Sequence, residues 1–298
     1  MNFKKNALTF FMVLALTQIS TAAMDTDSLN YSSKSIFKPK NSRDYSNKGK
    51  FYIHWGYNFS SYSKSDIHFK GPGYDFTLYK VHATDRPSKL SWDYINPAEI
   101  SIPQFNFHFG YYIKDNYTIS LGWDHMKYVM NTPQTVKISG YIDPQISDPA
   151  NPIQTGSYAG TYDNNDFEIK DEFLTFEHTD GYNFATVAIE RYDDIWVARN
   201  KKQYLTMETG IDAGLLVPRT DARFFGVGAN HYWNVAGWGA SAKVGAKMFL
   251  TKHFFLQGTF KTGFTDLTKI RTTGRNAYDN AKQKITFFEH YYVFGFVF

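Results

Sequence analysis

Residues 238–265 read WGASAKVGAKMFLTKHFFLQGTFKTGFT, and their alternation decides the fold. Side chains of a β-strand point by turns to its two faces. Over 238–250 that puts Trp238, Ala240, Ala242, Val244, Ala246, Met248 and Leu250 on one face, and Gly239, Ser241, Lys243, Gly245 and Lys247 on the other. Thr251-Lys252-His253 makes a tight turn, after which Phe254, Leu256, Phe260 and Phe264 oppose Gln257, Thr259, Lys261 and Thr265. Lysines in regular register on the polar face do not suit a packed soluble core, because an unpaired buried ammonium is costly. They suit an interior that is wet or internally hydrogen-bonded, with the apolar face turned to hydrocarbon.

The end of the chain repeats the pattern. In KITFFEHYYVFGFVF (284–298), Phe288, His290, Tyr292, Phe294, Phe296 and Phe298 share a face, while Glu289 sits on the other with Phe287, Tyr291 and Gly295. The start carries an export signature: Lys4 and Lys5, an apolar stretch from Ala7 to Ile19, and the small residues Thr21-Ala22-Ala23, with cleavage expected after Ala23. After it no uninterrupted apolar run reaches membrane-spanning length, yet 18% of the chain is aromatic, with 27 Phe and 22 Tyr. Hydrocarbon cannot satisfy loose backbone groups, so a chain that spans a bilayer without helices must close into a barrel. With no cysteine, lipoprotein anchoring, disulfides, thiol catalysis and cysteine-based zinc sites are excluded. A net charge of +4 is too mild to point to nucleic acid, and no phosphate-binding loop, metal-ligand spacing or cofactor motif is present.

Three regions follow: a signal peptide over 1–23, a flexible polar leader over 24–49, and an all-β barrel over 50–298. Strands are expected at 51–61, 65–70, 74–82, 104–113, 117–130, 135–142, 167–178, 183–192, 202–217, 238–250, a partner from 254 and the terminal strand. Gly71-Pro72-Gly73 is a turn signal, and the four prolines of 131–166 mark a long excursion. The count is about twelve strands, or ten if the first hairpin is one bulged strand and 135–142 is a loop.

Two stretches hold residue types able to do acid–base chemistry, GWDHMKYVM (122–130) and FEHTDG (176–181). Their candidates are Asp124, Glu177, His178 and Asp180. Period two separates neighbours: Thr118, Ser120, Gly122, Asp124 and Tyr128 face the lumen, whereas Tyr117, Ile119, Leu121, Trp123, His125 and Lys127 face outward. His178 and Asp180 fall with Leu174 and Phe176 on the expected lipid side, and Glu177 points inward. A girdle at the headgroup level explains these residues more economically than catalysis. Inside, Lys243, Lys247 and Lys261 stand beside Glu208, Asp212 and Glu190, which describes either a salt-bridged closed interior or a narrow selective path.

The mature chain resembles Gram-negative outer-membrane β-barrel proteins in its signal peptide, its alternation and its terminal Phe298. GYDFTLYKVHATDRP, GWDHMKYVM and FEHTDG look like segments of uncharacterised barrels of that kind. The resemblance implies an antiparallel up-and-down barrel in the outer membrane, with long extracellular loops and a periplasmic leader. It also implies that Tyr292, Phe294, Phe296 and Phe298 are read by the barrel-assembly machinery, and that outer-membrane lipid is a partner. It transfers no catalytic residue. The expected role is a narrow channel or a structural or surface-interaction barrel; a surface hydrolase acting on lipid or peptide is the alternative.

Overall fold

The computed structural model describes residues 35–298 apart from 90, 95, 97, 98, 100–102, 147–151, 229–232 and 274–277. The expected signal peptide and the leader as far as residue 34 lie outside the described residues.

Twelve strands join in one antiparallel sheet, the number expected, but only eight of them close the ring. Those eight are Phe51–Tyr62, Phe105–Lys114, Tyr117–Met126, Tyr182–Val197, Tyr204–Leu216, Gly237–Phe249, Phe254–Arg271 and Asn280–Val297. Closure comes from the last strand pairing back onto the first, from Tyr52↔Val297 to Tyr62↔Phe287. The other four, Ser65–Gly71, Tyr74–Val81, Gln134–Ile142 and Gly160–Ile169, extend the same sheet beyond the ring. The length of the last strand lets one sheet hold both sets. A membrane crossing needs about 9–11 residues, and Asn280–Val297 has 18. Its lower part binds Phe51–Tyr62, and its surplus at Asn280–Gln283 binds Lys70–Ile67 instead. Alternation counts strands; it does not reveal which of them pair to shut the ring.

Two expected strands are broken. The stretch 167–178 turns at Lys170, whose carbonyl accepts from the Phe173 and Leu174 amides at 2.9 and 3.0 Å. Gly160–Ile169 therefore stays in the large sheet, and Leu174–Glu177 joins a second, five-stranded sheet. Likewise 117–130 ends its barrel strand at Met126, and Val129–Met130 belongs to the second sheet. The second sheet and the four extra strands enclose an aromatic core containing Phe69, Phe76, Phe173, Phe176 and Phe224, and form a crown on one end of the barrel. The short turns at 115–116, 198–203 and 250–253 all lie at the opposite end.

Outward faces of the ring carry Ile211, Val187, Phe260, Trp238, Leu256 and Val244, each between 46 and 64% exposed. On the last strand Phe288, Tyr292, Phe294, Phe296 and Phe298 are exposed, while Glu289 and Tyr291 are buried inside. Glycine makes room for the large inward rings: a Cβ on Gly110 would lie 2.2 Å from a ring carbon of Tyr52.

Candidate functional site

An eight-stranded ring leaves an interior just wide enough for side chains to fill, and here they fill it in three layers. At the turn end Tyr52, Tyr112, Tyr192, Tyr204, Phe249 and Phe255 pack together, with Tyr204 stacked on Phe249 at 4.2 Å between centroids. Residues 35–49, part of the leader expected to be flexible, bond to this end. Arg43 Nε lies 2.9 Å from Asp194 Oδ2, its guanidinium sits 4.6 Å from the Tyr204 ring centre, and Asn47 Nδ2 donates to Tyr204 Oη at 3.0 Å.

The middle layer is polar. Lys261 Nζ bonds Asp124 and lies 2.8 Å from Asp212. Lys243 Nζ lies 2.9 Å from Glu190 Oε1 and 3.7 Å from Asp212 Oδ2. Glu190 also accepts from Thr118 and Ser120 at 2.5 and 2.6 Å. Glu208 accepts from Gln257 Nε2 at 2.8 Å and Thr259 Oγ1 at 2.6 Å. Lys247 differs. Its ammonium makes no hydrogen bond and rests instead over Tyr192, Phe255 and Tyr52, at 3.8, 4.4 and 4.7 Å from the ring centres. Burial makes such cation–π contacts stronger than at a surface.

The third layer, with Phe184, Leu267, Ile285 and Phe287, runs without a break into the crown core. The result is a shut interior. Asp124 and Lys247 are 0% exposed, Glu190, Glu208 and Lys261 1%, Asp212 4% and Lys243 5%. Side chains along a water-filled path would touch water; these do not.

The strand Phe105–Lys114 contributes residues that the sequence reading passed over. Asn106 Nδ2 donates to Asp124 at 2.5 Å, and its Oδ1 lies 3.0 Å from His54 Nε2. His108 Nδ1 is 3.1 Å from Ser120 Oγ and 3.7 Å from Glu190 Oε1. Glu289 accepts from Asn58 at 2.6 Å. The signal was available: Phe105, Phe107, Phe109 and Tyr111 alternate with Asn106, His108, Gly110 and Tyr112.

The four candidate catalytic residues go to different places. Asp124 is sealed in the polar layer with Lys261. Glu177 meets Arg86 at 3.0 Å on the crown, and Asp180 meets Arg219 at 3.0 Å. His178 lies inside the crown, 0% exposed, with Nδ1 2.9 Å from Thr220 Oγ1. The expected lipid-side placement of Leu174, Phe176 and His178 does not hold, because the strand they form belongs to the second sheet and faces the crown core. Burial pushes the His178 imidazole down to about 3, so it is neutral at ordinary pH. His125 and Lys127, read as an exposed girdle, are 8 and 9% exposed. His125 stacks on Phe105 at 5.0 Å and Lys127 Nζ donates to Ser88 Oγ at 3.1 Å, since the long connections fold over them. Among the described residues no three His, Asp or Glu side chains gather in a group able to hold a metal.

No family model and no curated protein matches the chain. Among solved structures, the outer membrane protein OprG from Pseudomonas aeruginosa superimposes with a TM-score of 0.38 at 11% identity, covering 88% of this chain and 99% of that one. Ail, the attachment invasion locus protein of Yersinia pestis, superimposes with a TM-score of 0.23 at 11% identity, covering 83% of this chain and 99% of that one. Superpositions this loose add nothing to the barrel that the chain's own strand pairing defines.

Proposed function

We propose that this chain is a Gram-negative outer-membrane protein whose barrel is a closed, non-conducting anchor that holds the folded crown outside the cell as an interaction module. The sealed polar layer carries this reading. Lys261 bonds Asp124 on the facing wall of the ring, Lys243 bonds Glu190 two strands away, and a layer of aromatic and aliphatic side chains closes each end. A conducting pore would need those ion pairs to part, and breaking one buried pair costs about 3–5 kcal/mol. The exposed Ile, Leu, Phe and Val of the outer wall support membrane embedding, because contiguous apolar surface of this kind is not left in water. On this reading the aromatic face of the last strand, Tyr292, Phe294, Phe296 and Phe298, is what the barrel-assembly machinery engages.

Single-cysteine labelling tests the arrangement, since the chain has no cysteine of its own. On intact cells a membrane-impermeant maleimide should label Thr161→Cys on the crown and leave Lys201→Cys in the short turn unlabelled until the envelope is opened. Labelling of the Lys201→Cys variant alone on intact cells would refute the orientation, and recovery of the folded protein in the soluble periplasmic fraction would refute the membrane anchor.

A further inference from the structure

The first long connection does not stay in the crown. After Ala83–Thr84, Asp85 Oδ2 accepts from the Ser60 amide at 2.8 Å, and burial of that carboxyl raises its pKa. Tyr94 Oη then donates to the Ser88 carbonyl at 2.6 Å, which folds the Trp92–Tyr94 turn back on the segment before it. Tyr94 stacks edge-on against Tyr57, with ring centres 4.5 Å apart, and the Tyr57 hydroxyl donates to the Tyr94 carbonyl. Tyr57 belongs to the outward face of Phe51–Tyr62, in line with Phe51, Ile53, Trp55 and Phe59. The turn is therefore laid on the outside of the wall, at the crown-side margin of its apolar face.

Within this docked turn Trp92 is 79% exposed. A large amphipathic ring held out beside the crown-side margin of an apolar wall suits the boundary between lipid headgroups and acyl chains. Arg86, whose side chain is 60% exposed, pairs with Glu177 of the crown sheet, so the segment runs from the crown to this turn, and Lys89 between them is exposed. We propose that the Trp92–Tyr94 turn is a foot that rests on the bilayer beside the barrel and seats Trp92 in the headgroup–acyl boundary. The occupant is the lipid surface, and the inference rests on the membrane-spanning reading above.

The test uses the full mature chain refolded into phosphatidylcholine vesicles, with an environment-sensitive fluorophore on Ser91→Cys, Phe260→Cys or Thr161→Cys. Nitroxide quenchers are placed either at the lipid headgroup or midway along the acyl chain. The foot requires position 91 to be quenched best from the headgroup, position 260 from the acyl chain, and position 161 by neither. Adding Trp92→Ala to Ser91→Cys should bring quenching down to the level of position 161, with the heat-modifiable migration of the folded barrel retained. If position 91 behaves like 161 while 260 is quenched, the foot is wrong and the membrane barrel stands. If 260 is unquenched as well, the membrane reading itself falls. Quenching at 91 that survives Trp92→Ala would remove Trp92 from the account.

Discussion

In the middle of the lumen, Lys261 is held between Asp124 and Asp212, sealed from solvent; in the crown, Phe173 is packed among Phe76, Phe167, Phe224 and Tyr158. Both sites are dry, and they are kept dry by opposite chemistry. The lumen is walled by backbone on all sides and cannot shrink, so its charges survive on fixed contacts: ion pairs for Lys243 and Lys261, ring faces for Lys247. The crown core has no such frame, and its rings hold the two sheets together by contact area and edge-to-face packing. Losing a lumen partner therefore leaves a charge with nowhere to go, whereas losing a crown ring leaves a cavity that neighbours fill in part.

The largest effect should come from Lys261→Met, which strands Asp124 and Asp212 and is expected to cost about 3–5 kcal/mol. Urea unfolding from vesicles reads it directly, and adding Asp124→Asn should recover part of the loss. A lumen whose stability ignores Lys261→Met would break the comparison. Next, Phe173→Ala should cost about 3 kcal/mol, but only in the crown. Limited proteolysis should cut the crown faster while the barrel keeps its heat-modifiable shift; loss of both together would mean that the two regions fold as one unit.

Acid separates the regions further through His178. Its pKa in the folded crown, about 3, lies below the ordinary 6.5, because burial penalises the imidazolium. The unfolded chain takes up the proton first, so stability is fully present above about 6.5 and drains away as pH falls towards 3. Proteolysis of the crown should report a loss of about 2 kcal/mol between pH 7 and 5, and His178→Phe should flatten that slope. Smallest of all is Arg86→Ala. Its pair with Glu177 is largely exposed, and an exposed ion pair contributes under about 1 kcal/mol; a larger change in crown proteolysis would mean that Arg86 does more than pair.

The barrel strands were legible because every second residue reports its face. Trp238 to Met248 and Phe254 to Phe264 lie outside, with Lys243, Lys247 and Lys261 inside, as the period requires. The crown was not legible, for the same reason turned round. Leu174, Phe176 and Met130 also alternate, but their apolar face is buried in a sandwich, and periodicity alone cannot tell a lipid face from a protein core. Glu289 was conspicuous among aromatics from the start, yet its partner Asn58 lies more than two hundred residues away, and only closure of the ring brings them together.

Conductance of the refolded mature protein in a planar bilayer tests the sealed lumen most directly, with Lys243→Glu/Lys247→Glu alongside. The expected result is a folded, heat-modifiable barrel that carries no discrete current steps. Reproducible steps whose ion preference shifts in the double variant would contradict it, and would make the ion pairs of the middle layer the gate of a pore.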